Sequence, residues 1–336
     1  MSQSRSLPFT PRTLLLTGLA LLGALLLVIG GFAAYQLWPR VIDTSALAGE
    51  GEYRLPVPEP GAPQVELGYF VTGQNVSPQA FIFSGGSLLK EHTSIFSGVV
   101  VRHPEATFLF EGGIGSRIAG EFERNFSGLN AKLFAYEGRT PALEQLRAAG
   151  LAPSDFNFVL LTHLHWDHAG IIKDFPQTPI RLLEAEYEGA VTAGKIGNPG
   201  FFPEQYMDPA INWDFVKLDP VPFGPFERSK DIFGDGTAVL VELGGHTAGS
   251  LGLVLTRSPK ERYFFIGDVS WSAEAVSIPA EKTPFARSLV DRNREETART
   301  VALLHEIAKA NPGLAIVPSH DEAAFAALPR LAAAAP

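Results

Sequence analysis

The sequence predicts an α/β fold, and three observations support this prediction. Short runs rich in β-branched and aromatic residues predict buried strands. Stretches of helical character separate several of these runs, as in Pro141–Ala149 and Glu184–Ala193. The chain has 336 residues, 46% of them hydrophobic, which is enough for one large domain with its own core. The predicted strands are Val65–Val71, Ile95–Arg102, Thr107–Phe110, Phe158–Thr162, Ile180–Leu183, Val239–Val241, Tyr263–Ile266 and Leu314–Val317.

The first element of the chain is a long apolar segment. Residues 1–12 form a short tail, and residues 13–38 carry no charged side chain. A helix of about 20 apolar residues crosses a hydrocarbon core of roughly 30 Å, so this segment predicts a single transmembrane anchor. Trp38 and Arg40 close the segment, as interfacial residues commonly do. A cleaved signal peptide is the alternative, although its apolar region usually has only about 7–15 residues.

Two further segments differ from the rest in composition. Residues 39–64 are rich in proline, which predicts a semi-extended linker between the anchor and a domain at residues 65–330. Residues 194–236 are rich in glycine, proline and aromatic residues and show no clear periodicity. Such a long segment in a compact domain is commonly a binding loop, so we expect a lid over a ligand. A purely structural insertion is the alternative.

The most informative motif directly follows the predicted strand Phe158–Thr162. Residues His163–His168 read HLHWDH, with three imidazoles and one carboxylate within six positions. These groups are ligands of divalent zinc, which takes about four of them at roughly 2.0–2.2 Å. On an extended segment alternate side chains point the same way, so His163, His165 and Asp167 would face one place. His168 would be offset toward a neighbouring place, which predicts two metal ions.

Other predicted strands are followed by residues of the same type. These residues are His246, Asp268 and His320. Loops at the ends of core strands are where a rigid scaffold commonly presents catalytic groups. Ionisable groups at such places are costly to bury unless they are paired or bound to a metal. We therefore expect all three to converge with the HLHWDH motif on one metal site.

The order HxHxDH, GH, GD and SH resembles that of the metallo-β-lactamase superfamily, over roughly residues 65–321. The resemblance implies a four-layer αββα sandwich around a dinuclear metal centre. It assigns His163, His165 and His246 to the first metal, Asp167, His168 and His320 to the second, and Asp268 to a bridge between them. The implied cofactors are two Zn²⁺ ions, with other divalent transition metals as the alternative.

Such a centre implies a metal-dependent hydrolase. Two zinc ions about 3.5–4 Å apart bind one hydroxide between them and make it available near neutral pH. This metal-bridging hydroxide would attack a lactone or a related carboxylic ester. Asp167 and Asp268 would relay the proton to the leaving group. Flavodiiron oxygen reductases of the superfamily carry Glu where His165 stands, so the ligand set argues against redox chemistry.

Within the superfamily, the chain is most similar to the N-acyl-homoserine lactonases. The cues are the HLHWDHAG form of the motif, the Glu186-Tyr187 pair and the stretch after Asp268. Those lactonases carry Tyr three residues after the bridging Asp, where its hydroxyl helps to hold the substrate carbonyl. Trp271 stands at that position here, and its indole donates a hydrogen bond but does not accept one.

The resemblance and the aromatic segment add three more residues to the predicted site. We expect Tyr187 and Tyr206 to contact the substrate together with Trp271. Glu111 stands where the family usually has Asp, a carboxylate that orients a ligand imidazole from behind. Glu is one methylene longer than Asp, so either the backbone retreats at this position or the role changes.

Other functions are compatible with the same ligands. A β-lactamase or a phosphodiesterase on this centre is the alternative function, and a non-catalytic, membrane-anchored binding protein is a third hypothesis. The chain has no cysteine, which excludes disulfides and thiolate ligands. Its net charge of −9 argues against a nucleic-acid partner. The expected partners are a small-molecule ester or lactone and, through the N-terminal helix, a membrane.

The anchor also predicts where the protein resides. The simplest topology is a single-pass membrane protein whose large domain lies outside the cytoplasm, in the periplasm if the protein is bacterial. The sequence leaves the oligomeric state open.

Overall fold

The computed structural model describes residues 11–47, 53–138 and 140–334. The α-helices are α1 (Pro11–Leu37), α2 (Ile118–Asn125), α3 (Gly128–Leu133), α4 (Ala142–Ala148), α5 (Trp166–Ala169), α6 (Glu184–Lys195), α7 (Pro203–Tyr206), α8 (Ala273–Ser277), α9 (Pro284–Val290), α10 (Arg294–Ala310) and α11 (Glu322–Phe325). The strands are β1 (Glu66–Pro78), β2 (Glu91–His103), β3 (Ala106–Phe110), β4 (Glu137–Gly138), β5 (Phe158–Leu160), β6 (Ile180–Leu183), β7 (Trp213–Val216), β8 (Lys230–Asp231), β9 (Ala238–Glu242), β10 (Leu251–Ser258), β11 (Glu261–Phe265) and β12 (Leu314–Val317). Residues 1–10 of the predicted tail and residues 48–52 of the predicted linker lie outside the described residues.

The strands form two mixed β-sheets. One sheet has seven strands in the order β4-β1-β2-β3-β5-β6-β7, and the other has five in the order β12-β11-β10-β9-β8. Strands β3, β5, β6 and β7 run parallel in the first sheet. In the second sheet β11 pairs parallel with β12, and β9 and β11 are both antiparallel to β10. The carboxyl ends of β3 and β5 therefore lie at one edge of the first sheet, and those of β9, β11 and β12 lie at one edge of the second.

A hydrophobic core fills the space between the two sheets. Phe108 of β3 and Leu253 of β10 are buried in it. Leu109 and Val254, the next residues on the same strands, pack instead on the outer faces of the sheets. This alternation follows from the two-residue period of a strand. Each buried Leu or Phe side chain contributes about 1.5–3 kcal/mol, so the core between the sheets is a large source of stability.

Helices cover the outer faces of both sheets. Leu146 of α4 and Ala190 of α6 are buried outside the seven-stranded sheet. Val301, Leu304 and Ile307 of α10 are buried outside the five-stranded sheet, at the three- and four-residue spacing of an apolar helix face. The layers are therefore helix, sheet, sheet and helix, which confirms the predicted mixed α/β class.

Six of the eight predicted strands lie within about two residues of the observed bounds, but β10, which is buried along most of its length, was not predicted. β6 covers Ile180–Leu183 as predicted. β1 and β2 are longer than predicted, because the second half of β1 continues beyond the core as a ribbon paired with β2. Residues 74–78 of that half are only partly buried or exposed, so hydrophobicity does not mark them as a strand.

Residues 194–236, which the sequence predicts as a lid, are divided among several parts of the core. Four of them form the edge strand β7. Phe202 and Tyr206 are fully buried, and Phe223 and Phe226 pack outside the five-stranded sheet. These aromatic side chains are thus part of the core, and a lid over a ligand stays a prediction for the rest of the segment.

The N-terminal helix α1 is the one described helix that is long and apolar enough to span a membrane, and the side chains of its apolar window are not buried. Near its end, the Gln36 side chain accepts a hydrogen bond of 2.8 Å from the backbone N–H of Phe285 in α9. Apolar side chains so exposed are unusual on a soluble surface. Length and composition alone do not separate a membrane anchor from a signal sequence.

The segment predicted as a linker is attached to the domain in two places. Val41 forms a β-bridge with Ala280. Tyr53 and Leu55 are buried outside the five-stranded sheet, where Asn311 accepts from the Leu55 N–H and donates to the Tyr53 carbonyl. The second attachment holds part of residues 39–64 against the domain.

A close backbone approach positions the loop that follows β3. A Cβ atom at Gly115 would overlap the carbonyl oxygen of Gly170, which directly follows α5. The next residue, Ser116, donates its N–H to Asp174 at 2.8 Å. Only glycine allows this contact between the β3 loop and the segment that carries the HLHWDH motif.

We therefore expect Gly115→Ala to destabilise the protein by about 1–3 kcal/mol, the usual cost of an overpacked contact. The matched control is Gly120→Ala in α2, where the added Cβ would lie 3.2 Å from the movable end of Arg124. Guanidinium unfolding in one detergent, followed by circular dichroism, compares the two variants. Equal stability of both would contradict the close approach.

Candidate metal centre

The HLHWDH motif changes conformation in its middle. His163 follows β5 in extended backbone, His165 is the N-cap of α5, and Asp167 and His168 lie on that short helix. The predicted alternation therefore stops at His165. Asp167 does not face the same place as His163 and His165, because the helix turns it toward His168 and the second group of ligands.

The first group consists of three imidazoles whose ring nitrogens meet. His163 Nε2 lies 3.1 Å from His165 Nδ1, and His246 Nε2 lies 3.3 Å and 3.1 Å from these two atoms. Burial lowers the pKa of all three imidazoles, most strongly those of His163 and His165. The rings are therefore neutral near pH 7, the form in which a histidine binds a metal.

The second group consists of Asp167, His168 and His320, all buried. His320 Nε2 lies 3.3 Å from an oxygen of Asp167, and His168 Nε2 lies 4.0 Å from the same oxygen. Burial by itself would lower the pKa values of both imidazoles. The carboxylates nevertheless raise them, through Glu111 for His168 and through Asp268 for His320.

Asp268 lies between the two groups. One of its oxygens is 3.0 Å from His320 Nε2 and 3.8 Å from His246 Nε2. The other is 3.4 Å from His168 Nε2. Burial would raise the pKa of Asp268, but His320 and His168 hold it well below its usual range. The carboxylate is therefore ionised and within reach of both groups.

The donor set fits metal ions. Among the described residues, His168 Nε2 and Asp268 Oδ1 are buried without a hydrogen-bond partner. In the first group, three neutral imidazoles bring ring nitrogens to within about 3 Å of one another, and each ring has one nitrogen lone pair to offer to a cation. Both features have a simple explanation if cations lie among these atoms, since unpaired buried polar atoms are costly.

The distal nitrogens of the ligand imidazoles have partners of their own. His320 Nδ1 donates to the Ile95 carbonyl at 2.8 Å, and His246 Nδ1 donates to Asp291 at 2.9 Å. His163 Nδ1 lies 2.9 Å from the hydroxyl of Thr162. Such contacts fix the tautomer and orientation of each ring, so that the proximal nitrogen faces the site.

Glu111 has the place expected of it behind His168. One carboxylate oxygen accepts from His168 Nδ1, and the other accepts from the backbone N–H of Thr162. The backbone of Glu111 has a φ of 56°, a left-handed conformation that is costly for a residue with a side chain. Glu111 thus combines an unusual backbone with the expected contact between its carboxylate and the ligand imidazole.

Three buried residues of the site were not predicted from sequence. Asp291 holds His246 and accepts from Lys282 at 2.7 Å, and Lys282 also donates to the Val269 carbonyl at 3.2 Å. Glu186 accepts from the backbone N–H groups of Leu164 and Gly249, both at 2.9 Å. It thereby links the loop of His165 to the loop of His246. Asp291 and Lys282 lie outside any recognisable motif, whereas Glu186 belongs to the Glu186-Tyr187 pair.

The three predicted substrate residues lie in different surroundings. Trp271 lies at the site, with its indole N–H donating to Asp268 at 3.0 Å. Tyr187 packs on Trp213 and Phe215, and its substrate contact stays a prediction. Tyr206 is fully buried, and its hydroxyl donates to the Ala190 carbonyl at 2.9 Å. A substrate contact from Tyr206 is therefore wrong, since the core encloses its whole side chain.

A groove of about 650 Å³ opens beside the first group of ligands. Its walls are formed by residues of α6, the end of α9 and the loop around Ala248, and it reaches His246 and Asp291. Phe201 lines it and packs on the His165 ring at a centroid distance of 4.5 Å. Its size is within the usual range of small-molecule sites, about 300–1,000 Å³.

Residues 94–320 match the family model of the metallo-β-lactamase superfamily. Among curated proteins, the chain is similar to the N-acyl homoserine lactonase AttM of Rhizobium johnstonii, with 26% identity over 230 residues, 67% of this chain and 81% of AttM. It is similar also to the N-acyl homoserine lactonase AiiB of Agrobacterium fabrum, with 28% identity over 240 residues, 69% of this chain and 81% of AiiB.

Solved structures show the same fold. An N-acyl homoserine lactone hydrolase with N-hexanoyl-L-homoserine bound at its catalytic metal centre has a TM-score of 0.62 at 16% identity. The match covers 80% of this chain and 98% of that one. An AiiA variant from B. thuringiensis also has a TM-score of 0.62, at 17% identity and with the same coverage. From the family match and these relatives together, the chain is a metal-dependent hydrolase that belongs to the metallo-β-lactamase superfamily.

Proposed function

We propose that this protein is a dinuclear zinc hydrolase that opens lactones or related carboxylic esters. The observation that carries the proposal is the sharing of Asp268 between two separate groups of buried ligands. In this proposal His163, His165 and His246 hold the first ion, Asp167, His168 and His320 hold the second, and Asp268 contacts both. When bound, two zinc ions supply a hydroxide nucleophile at neutral pH and polarise the substrate carbonyl.

The chain's own residues hold and orient the reacting groups. Asp291 and Glu111 each fix the ring of one ligand imidazole through its distal nitrogen. Asp167 and Asp268 are the carboxylates at the ligand positions, so they are placed to pass a proton to the leaving oxygen. The groove beside His246 and Phe201 receives the remainder of the substrate.

Lactones are the substrate class that the comparisons support. AttM and AiiB are both named N-acyl homoserine lactonases, and this chain aligns with about four-fifths of each. A β-lactamase or a phosphodiesterase would use the same ligands, but these relatives do not favour either. A binding protein without catalysis is not favoured either, because the family match and the relatives are those of hydrolases.

We also propose that α1 anchors the domain to a membrane. The support is its uncharged apolar window, Leu14–Leu37, whose side chains are not buried. The domain then lies outside the cytoplasm, and the described part of residues 39–64 attaches the anchor to the domain. A signal sequence is the alternative.

His165→Ala is expected to reduce hydrolysis to near background and to lower the metal content from two ions per chain. The variant removes one of three nitrogens of the first group, whereas the apolar core keeps the fold. His305→Ala is the matched control, since His305 lies on α10 and contacts the Val276 carbonyl. Elemental analysis and circular dichroism accompany the assay. Full turnover by His165→Ala with both ions present would refute the site.

Trp271→Tyr is expected to change kcat/KM for lactones by roughly tenfold, the scale of one neutral hydrogen bond. The indole N–H is directed at Asp268 here, whereas a tyrosine hydroxyl would be free to approach the substrate carbonyl. Trp271→Phe, which has no donor, separates the hydrogen bond from the ring. Metal content should be equal in all three proteins. Identical lactone kinetics for the three would place Trp271 outside substrate recognition.

Deletion of residues 1–40 is expected to move the protein from the membrane to the soluble fraction with its activity retained. The side chains of Leu14–Leu37 that it removes are not buried against the domain. Fractionation and N-terminal sequencing of the full-length protein provide the comparison. A soluble full-length product that begins near Ala34 or Tyr35 would establish a cleaved signal peptide instead.

A further inference from the structure

Helix α9 connects the base of α1 with the candidate metal centre. Near its beginning, the Phe285 N–H donates to Gln36 of α1. At its end, Ser288, Leu289 and Val290 line the groove that reaches His246. Seven helical residues at 1.5 Å per residue span about 10 Å. Ser288 is three residues after Phe285, so one wall of the groove begins about 4.5 Å along the helix axis from the place where the apolar helix meets the domain.

The domain surface around the base of α1 exposes large apolar side chains. We call this the basal surface, and its members are Trp38, Phe81, Leu88, Leu89, Ile278 and Phe285. Leu89 is 98% exposed and Trp38 is 68% exposed. Such side chains favour an apolar environment, and clusters of them on one protein face mark contact sites.

Backbone contacts hold the segments of the basal surface together. Ile42 donates its N–H to the Pro279 carbonyl at 2.8 Å, beside the bridge between Val41 and Ala280. A Cβ atom at Gly85 would lie 3.2 Å from the Pro39 side chain, which places the loop of Leu88 and Leu89 beside the end of α1. The segments that carry these apolar residues thus lie next to the end of the apolar helix.

The groove has both apolar and polar lining residues. Its apolar and small residues are Ala185, Gly189, Ala193, Ile196, Leu289 and Val290, and polar residues such as Glu188, Thr192, Asn198 and Arg292 lie among them. Asp291 and His246 lie at the end nearest the metal ligands. An amphiphile would bind with its reactive carbonyl at the ligands and its chain along the apolar walls.

We infer that the basal surface rests on a lipid bilayer and that the enzyme takes long-chain lactones or esters from that bilayer into the groove along α9. This inference rests on the proposed lactonase function and on α1 as an anchor. A bilayer is the occupant that fits, because the surface surrounds the end of a helix long enough to span one. The substrate class is therefore lipophilic acyl compounds that partition into membranes.

The test uses the full-length protein in phosphatidylcholine vesicles, with N-butyryl and N-tetradecanoyl homoserine lactone as substrates. The variant Leu89→Glu with Phe285→Glu adds two charges to the basal surface and leaves the metal ligands intact. Leu129→Glu is the matched control, since Leu129 is an exposed apolar residue on α3. Leu289→Glu adds a charge to the groove itself.

The ratio of kcat/KM for the long-chain to the short-chain lactone is the measurement. We expect the double variant and Leu289→Glu to lower this ratio by roughly tenfold, and Leu129→Glu to change it by less than about twofold. Hydrolysis of the short lactone by the double variant shows that the variant is folded.

An unchanged ratio in the double variant, with lactones still hydrolysed, would overturn the bilayer inference and leave the proposed function standing. A wild-type protein that prefers the short lactone in vesicles would do the same. Failure of the wild-type protein to hydrolyse either lactone, with two metal ions bound, would overturn the proposed function and this inference together.

Discussion

The site depends on one electrostatic constraint, which is that seven ligand side chains must meet inside the protein with their proximal atoms directed at one another. Burial lowers the pKa values of His163, His165 and His246 and keeps their rings neutral. The nearest ring nitrogens of the three residues lie 3.1–3.3 Å from one another. In a metal-free protein this arrangement is unfavourable, so other interactions must hold it in place. Those interactions come from the strand ends, where a rigid core determines the position of each loop.

Buried carboxylates hold the loops in position. Glu186 accepts from the loops that carry His165 and His246, and Glu111 accepts from the residue before His163 as well as from His168. Each carboxylate thus connects two elements that are distant in the sequence. The left-handed backbone of Glu111 is the cost of one such connection. Because the buried clusters between the sheets and outside them provide much of the stability, the fold can bear this strain at the site.

The sequence predicted which residues form the site more accurately than it predicted how they are arranged. The ligand-type residues follow strands with buried faces, and hydrophobic runs mark such strands, so the convergence of His163, Asp268 and His320 was predictable. The turn of α5 at Asp167 was not, because a four-residue helix carries no periodic signal. The burial of Tyr206 was missed for a related reason: a Gly- and Pro-rich segment with aromatic residues has the same composition whether it covers a ligand or fills a core. Asp291 is set by tertiary packing, which local sequence does not encode.

Charge balance limits what the site can bind. Asp167, Asp268, Glu111 and Asp291 are carboxylates at the ligands or directly behind them, and Lys282 is the buried ammonium group among them. The neutral imidazoles contribute no charge, so these groups alone leave an excess of negative charge in a region of low dielectric. The carboxylates accordingly raise the pKa values of His168 and His320, which favours protons where cations are absent. Divalent cations among the ligands would offset this excess, so the carboxylates around the ligands favour the binding of metal cations at the site.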